Sequence, residues 1–208
     1  MTTPRDFHKD SHTGRIKAAR LFSNIVSPPV MFAILGVAFG LYEIPNFTGF
    51  LWTAVYGLLV SLAPILVVLY FLKTGRIKEL HMSDTNERHL PYISAIFFAL
   101  LAFGIISYFD GPELLRCLAL FNAIELTALG LINIKWLISL HSTGITATFL
   151  LVGLVFGWIY AFVLVLPFVF LVCYVRLYLK RHTVGQIIAG ILLGLASVWV
   201  MTLLNCFV

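Results

Sequence analysis

Long apolar stretches alternate with short polar ones along the whole chain. A helix needs about 20 residues to cross a hydrocarbon layer of about 30 Å. Seven runs close to that length are bounded by charges or turn residues. The first covers 21–42, with Pro28-Pro29 expected to kink it or delay its start. The second covers 47–72 and is expected to bend at Pro64. The third and fourth, 92–108 and 114–134, are separated by Asp110-Gly111-Pro112. Between 141 and 179 the only lysine, arginine or acid is Arg176, and one helix of that length would reach about 58 Å, so two helices turning near Gly157 are expected. The last run covers 183–206. The pattern predicts an all-α, polytopic transmembrane bundle of six to seven spans, with 1–20 as a polar tail and 21–208 as a single domain.

Composition agrees with this pattern. Hydrophobic residues make up 61% and charged residues 11% of the 208 positions, too little polar surface to cover a water-soluble core. The net charge of +5 therefore reads as topology and not as a nucleic-acid footprint. With the tail in the cytoplasm, seven spans place every lysine and arginine except Arg116 on the tail's side. Cys117, Cys173 and Cys206 lie in apolar segments without a CxxC pair and predict neither a disulfide framework nor a zinc site. His8 and His12, four apart in the tail, read as solvated residues.

Three polar segments fall on the cation-rich side, each with a histidine and a cation: 73–91, 135–142 and 176–186. The first is long for a loop without structure of its own, which marks it as a candidate site element. Arg176 and His182 are separated by five residues, and Gln186 follows His182 after three more. Ser139-Leu140-His141 forms the second group, and Arg88, with Lys78 upstream and Pro91 downstream, the first.

This set resembles the three motifs of the type 2 phosphatidic acid phosphatases and their vanadium haloperoxidase relatives. The resemblance covers 73–186. Val175 replaces the family's serine, Gln186 replaces its aspartate, and the first motif is incomplete. The resemblance implies a helical core of that family and a metal-independent membrane hydrolase without a cofactor. Its substrate would be a lipid-linked phosphate or diphosphate of the phosphatidate, phosphatidylglycerophosphate or polyprenyl diphosphate class. His182 would form a phosphohistidine, and His141 would protonate the leaving group and then activate water. Arg88, Arg176, Ser139, the Leu140 N–H and Lys78 would hold phosphate oxygens. The alternative is a catalytically degenerate relative that binds or transports a lipid phosphate.

Gln186 shares a helix face with His182 and could accept the ring N–H, but it cannot stabilise an imidazolium by charge. Asp84, Glu87 or Glu125 could compensate. Glu125 and Asn122 share a face of the fourth run, where Glu125 either pairs with a site cation or is an internal hydrogen-bonded carboxyl. Gln186, Gly190 and Gly194 recur every four residues as a smooth packing face. Lys180 and Arg181 read as turn cations near lipid headgroups, and His89 as a loop residue.

Overall fold

The computed structural model describes residues 14–78 and 85–207. Residues 1–13 and 79–84, including His8, His12, His81 and Asp84, lie outside the described residues. Among the described residues there is no strand. The helices are α1 (Gly14–Ile25), α2 (Pro28–Glu43), α3 (Phe47–Lys73), α4 (His89–Tyr108), α5 (Glu113–Asn133), α6 (Leu140–Phe156), α7 (Trp158–Tyr178) and α8 (Val184–Leu203). Five of them, α3, α4, α5, α7 and α8, are long and apolar enough to cross a membrane. They become six if α1 and α2, bent by 45° at their junction, count as one span. With 17 residues, α6 is apolar but shorter than those five. The chain is thus a multi-pass, all-helical membrane protein by the length and composition of its helices.

Prolines set the breaks. Pro28 and Pro29 occupy the first positions of α2, where a missing N–H costs nothing, so the chain bends before them and Ser27 is the N-cap. Inside α3 and α7 the helix loosens into π turns, Gly57–Leu62 and Ala161–Val165, just before Pro64 and Pro167. A π turn shifts the hydrogen-bond register where proline offers no donor. Gly157, at φ +106°, makes the reversal between α6 and α7.

The core joins α2, α3, α5, α6 and α8 through Phe39, Tyr56, Phe121, Leu151 and Met201, all fully buried. Around it, Phe47, Ile93, Phe97, Trp199 and Leu203 are exposed on the outer faces, the arrangement expected beside lipid tails. The glycine face of α8 lets it approach α6 closely: a Cβ on Gly190 would meet Ser142 Oγ and the Ser139 carbonyl, and one on Gly194 the Thr143 carbonyl. Ser139 N–H donates to the Gln186 carbonyl at 3.2 Å, and Ser142 Oγ donates to the Ile187 carbonyl at 3.3 Å. These ties hold the start of α6 against the start of α8.

Within the stretch read as a polar tail, residues 14–20 are helical and form the first part of α1, with Ile16 buried. One expectation is corrected. Cys117 and Cys206, 89 positions apart, form a disulfide with an S–S distance of 2.08 Å. No sequence spacing announces that pair. The chain turns back after α8 through Asn205 and Phe207, both at positive φ, and brings Cys206 to the first turns of α5.

Candidate active site

At the end of the bundle opposite the disulfide, α7 closes on Arg176 and α8 opens after Thr183. The turn between them is compact. Lys180 adopts φ +52°, its N–H donates to the Leu177 carbonyl, and Arg181 N–H donates to the Arg176 carbonyl at 3.1 Å. Thr183 and Gln186 then form a capping box, in which Thr183 Oγ1 accepts the Gln186 N–H and Gln186 Oε1 accepts the Thr183 N–H at 2.9 Å. This geometry turns Arg181 and His182 inward, both buried, and leaves Lys180 in the open. Arg181 therefore does not share the headgroup position expected for the pair.

Arg176 Nη2 lies 3.0 Å from His182 Nε2. A guanidinium only donates, so Nε2 accepts and the neutral ring carries its proton on Nδ1. That Nδ1 is buried without a hydrogen-bond partner. Gln186 lies close enough to act on the ring, while its amide oxygen accepts the Thr183 N–H at the helix cap. The expected bond from Nδ1 to Gln186 is thus replaced by the helix cap. Burial first, then the Arg176 and Arg88 cations, hold His182 well below the usual histidine range, with Arg181 adding to them and Gln186 opposing.

A second donor nitrogen of Arg176, Nη1, donates to Ser23 Oγ at 3.0 Å. The carbonyl of the same serine lies 3.0 Å from His141 Nε2. A carbonyl only accepts, so His141 carries its proton on Nε2. His141 and His182 therefore show opposite faces of imidazole chemistry: one presents an N–H, the other a lone pair. Ser23, near the end of α1, ties the two motifs together and was not among the residues singled out from the sequence. It sits in a mixed run beside the tail, 118 and 153 positions from its partners.

Arg88, His141, Arg176 and His182 line one cavity of about 470 Å³, with Ser23 and Leu140 at its wall. Leu140 is the first residue of α6, where helix N–H groups point outward and favour anions. Tyr92, one turn beyond Arg88, is placed to hydrogen-bond its guanidinium and accepts from Asn133 Nδ2 at 2.7 Å. Asn133 Oδ1 in turn accepts the Ile138 N–H at 2.8 Å and so holds the approach to α6. Tyr92 and Asn133 also escaped the sequence reading, since an isolated tyrosine and asparagine in apolar runs carry no spacing signal.

Three predicted phosphate or base-orienting groups stand outside this lining. Ser139 is fully buried as the N-cap of α6, its Oγ accepting the Ser142 N–H at 3.3 Å and its carbonyl accepting from Ser142 Oγ and Thr143 Oγ1. Gln186 is held in the capping box. Lys78 is exposed on the loop, where its N–H donates to Glu87 Oε2. Among the described residues there is no group of three or more histidine, cysteine or acidic side chains arranged to hold a metal ion. No protein-family model, curated protein or solved structure matches the chain.

Proposed function

We propose that the protein is a membrane phosphatase acting on a lipid-linked phosphate or diphosphate. The observation that carries this reading is the meeting of Arg88, His141, Arg176 and His182 around one cavity whose walls continue as apolar side chains of α2, α3 and α4. Two guanidiniums suit phosphate oxygens, and the adjoining apolar wall suits the hydrocarbon part of a lipid. In the proposed reaction His182 Nε2 attacks phosphorus, an N–P bond forms and the bond to the leaving oxygen breaks. His141 transfers its Nε2 proton to that oxygen. The same nitrogen then takes a proton from water as the water attacks the phosphohistidine, which releases phosphate and restores both rings. Substrate has to displace Arg176 from His182 Nε2 and draw His141 away from the Ser23 carbonyl.

Phosphate release from a panel of lipid phosphates in detergent, with vanadate and EDTA added in turn, tests the reading. Release is expected to be vanadate-sensitive and EDTA-resistant. His182→Ala is expected to abolish it while the protein stays folded, whereas undiminished release would remove His182 as nucleophile.

One observation favours a second reading, a lipid-phosphate binding or transport protein without turnover. His182 Nδ1 has no hydrogen-bond acceptor to stabilise a phosphoimidazolium, and the Gln186 oxygen accepts the Thr183 N–H instead. Lipid-phosphate binding that depends on Arg176 but yields no phosphate would select it.

The orientation belongs to the same proposal: the cavity end faces the cytoplasm. Cations cluster there, and the opposite end holds a disulfide beside Arg116, as expected for an oxidising compartment.

A further inference from the structure

The cavity does not end at its cations. It runs inward along α3 from Val68 to Val60 and along α5 to Asn122 and Glu125. Measured from Asn133 at the cationic end of α5, Glu125 lies about 12 Å deeper and Asn122 about 16 Å, at ~1.5 Å per residue. Glu125 is 1% exposed, and its Oε1 is buried without a hydrogen-bond partner. Asn122 is 2% exposed, and its amide nitrogen donates to the Tyr56 hydroxyl at 2.9 Å and to the Leu118 carbonyl at 2.7 Å. With both amide hydrogens committed, what Asn122 can offer a ligand is its oxygen. The inner end of the cavity thus presents acceptors, and the outer end presents donors.

A purely hydrocarbon ligand would leave the Glu125 oxygen unsatisfied in a low-dielectric site, which natural interiors avoid. We infer that Asn122 and Glu125 form a second binding subsite, which recognises a hydrogen-bond donor, a hydroxyl or an ammonium group, carried on the chain of a lipid phosphate roughly 10 Å from phosphorus. The phosphate end of this inference rests on the reading proposed above; the donor end rests on the geometry of α5. Selection works through the polar pair: a ligand with the donor satisfies the buried acceptors, and one without it pushes methylene groups against them.

Binding to the full-length protein in detergent, followed by calorimetry, tests the subsite without depending on turnover. The probes are dodecyl phosphate and its derivatives with a hydroxyl or an amine about eight carbons from phosphorus, at the depth set by the helix rise. The substituted chains are expected to bind roughly tenfold more tightly than dodecyl phosphate. Glu125→Leu and Asn122→Leu should reduce that advantage while dodecyl phosphate still binds. Glu125→Gln, close in shape and suited to a fold that tolerates no apolar swap, separates the two donors: it should cancel the amine's advantage and retain part of the hydroxyl's. Equal affinities in the unaltered protein, or an advantage that survives both Glu125 substitutions at unchanged melting temperature, overturn the inference. A parallel arm uses the corresponding phosphate-free alcohols. If dodecyl phosphate fails to bind, the phosphate reading falls, and these alcohols decide the subsite alone. A Glu125-dependent preference for the chain with the additional mid-chain hydroxyl sustains it, and equal binding or none overturns it.

Discussion

At the disulfide end, Glu43 accepts the N–H groups of Glu113 and Leu114 at 2.7 and 2.8 Å, and Asn46 Oδ1 accepts those of Thr48 and Gly49. These caps saturate helix termini, and the Cys117–Cys206 bond closes the same end covalently. At the cavity end Ser23 Oγ accepts from Arg176, 153 positions away, the Ser23 carbonyl accepts from His141, 118 positions away, and Arg176 donates to His182 across the turn. One histidine nitrogen there, His182 Nδ1, is buried without a partner. One end is finished by helix caps and a covalent bond and stabilises the bundle. The other holds cations and rings together in a form that a ligand can take over.

Opening the disulfide breaks the comparison most strongly. By chain entropy, a cross-link closing a loop of this length contributes up to about 5 kcal/mol. Cys117→Ser with Cys206→Ser, or reductant, is expected to lower the melting temperature clearly, while vanadate affinity at the distant cavity stays the same. A parallel loss of affinity would show that the two ends are coupled.

Gly190→Ala strikes the other end. Its Cβ would meet Ser142 Oγ and the Ser139 carbonyl, and the carbonyl belongs to the backbone of the α6 cap. Overpacking of this kind costs about 2 kcal/mol. Because α8 carries the turn with His182 and α6 starts beside His141, the substitution should lower both the melting temperature and phosphate release. Equal loss in stability with unchanged release would separate the packing from the site.

Helix existence was legible because apolar runs and their breakers act locally. Pro28-Pro29, Pro64 and Gly157 each mark a real change of helix geometry. The meeting of Arg88, His141, Arg176 and His182 was legible through alternation, since an even number of crossings returns the chain to one face. Ser23 was not, because its carbonyl and hydroxyl act through a 45° bend that no residue spacing encodes. Gln186 illustrates a different limit: its position opposite His182 follows from helical spacing, but the competition between the ring and the Thr183 N–H is decided by the turn's backbone. The disulfide depended on the reversal after α8 and was equally hidden.

Acidification sharpens the contrast at the cavity end. His182 is held well below the usual range in the folded protein, so an unfolded chain binds its proton first, from about pH 6.5 downward. The unfolded state then carries more protons, and stability rises with pH through that window and is lost as pH falls below it. The slope from this one group approaches about 1.4 kcal/mol per pH unit until the folded ring also titrates. Protonation also removes the lone pair that accepts from Arg176. Melting temperatures between pH 7.5 and 5 should fall for the unaltered protein and fall less for His182→Asn; identical curves would place the acid sensitivity elsewhere.

The smallest expected effect is the most specific. Ser23→Ala removes the Oγ that accepts from Arg176 Nη1 but keeps the carbonyl that accepts from His141. Loss of one such bond should cost about 1 kcal/mol of stability. In the ligand-free protein that hydroxyl competes with phosphate for the same guanidinium hydrogen, so its removal should tighten vanadate binding by a few-fold while the pH dependence set by His182 remains. Weaker vanadate binding would mean instead that Ser23 aims Arg176 at the ligand, and the cavity end would then resemble its opposite, with a polar contact kept for support and not for exchange.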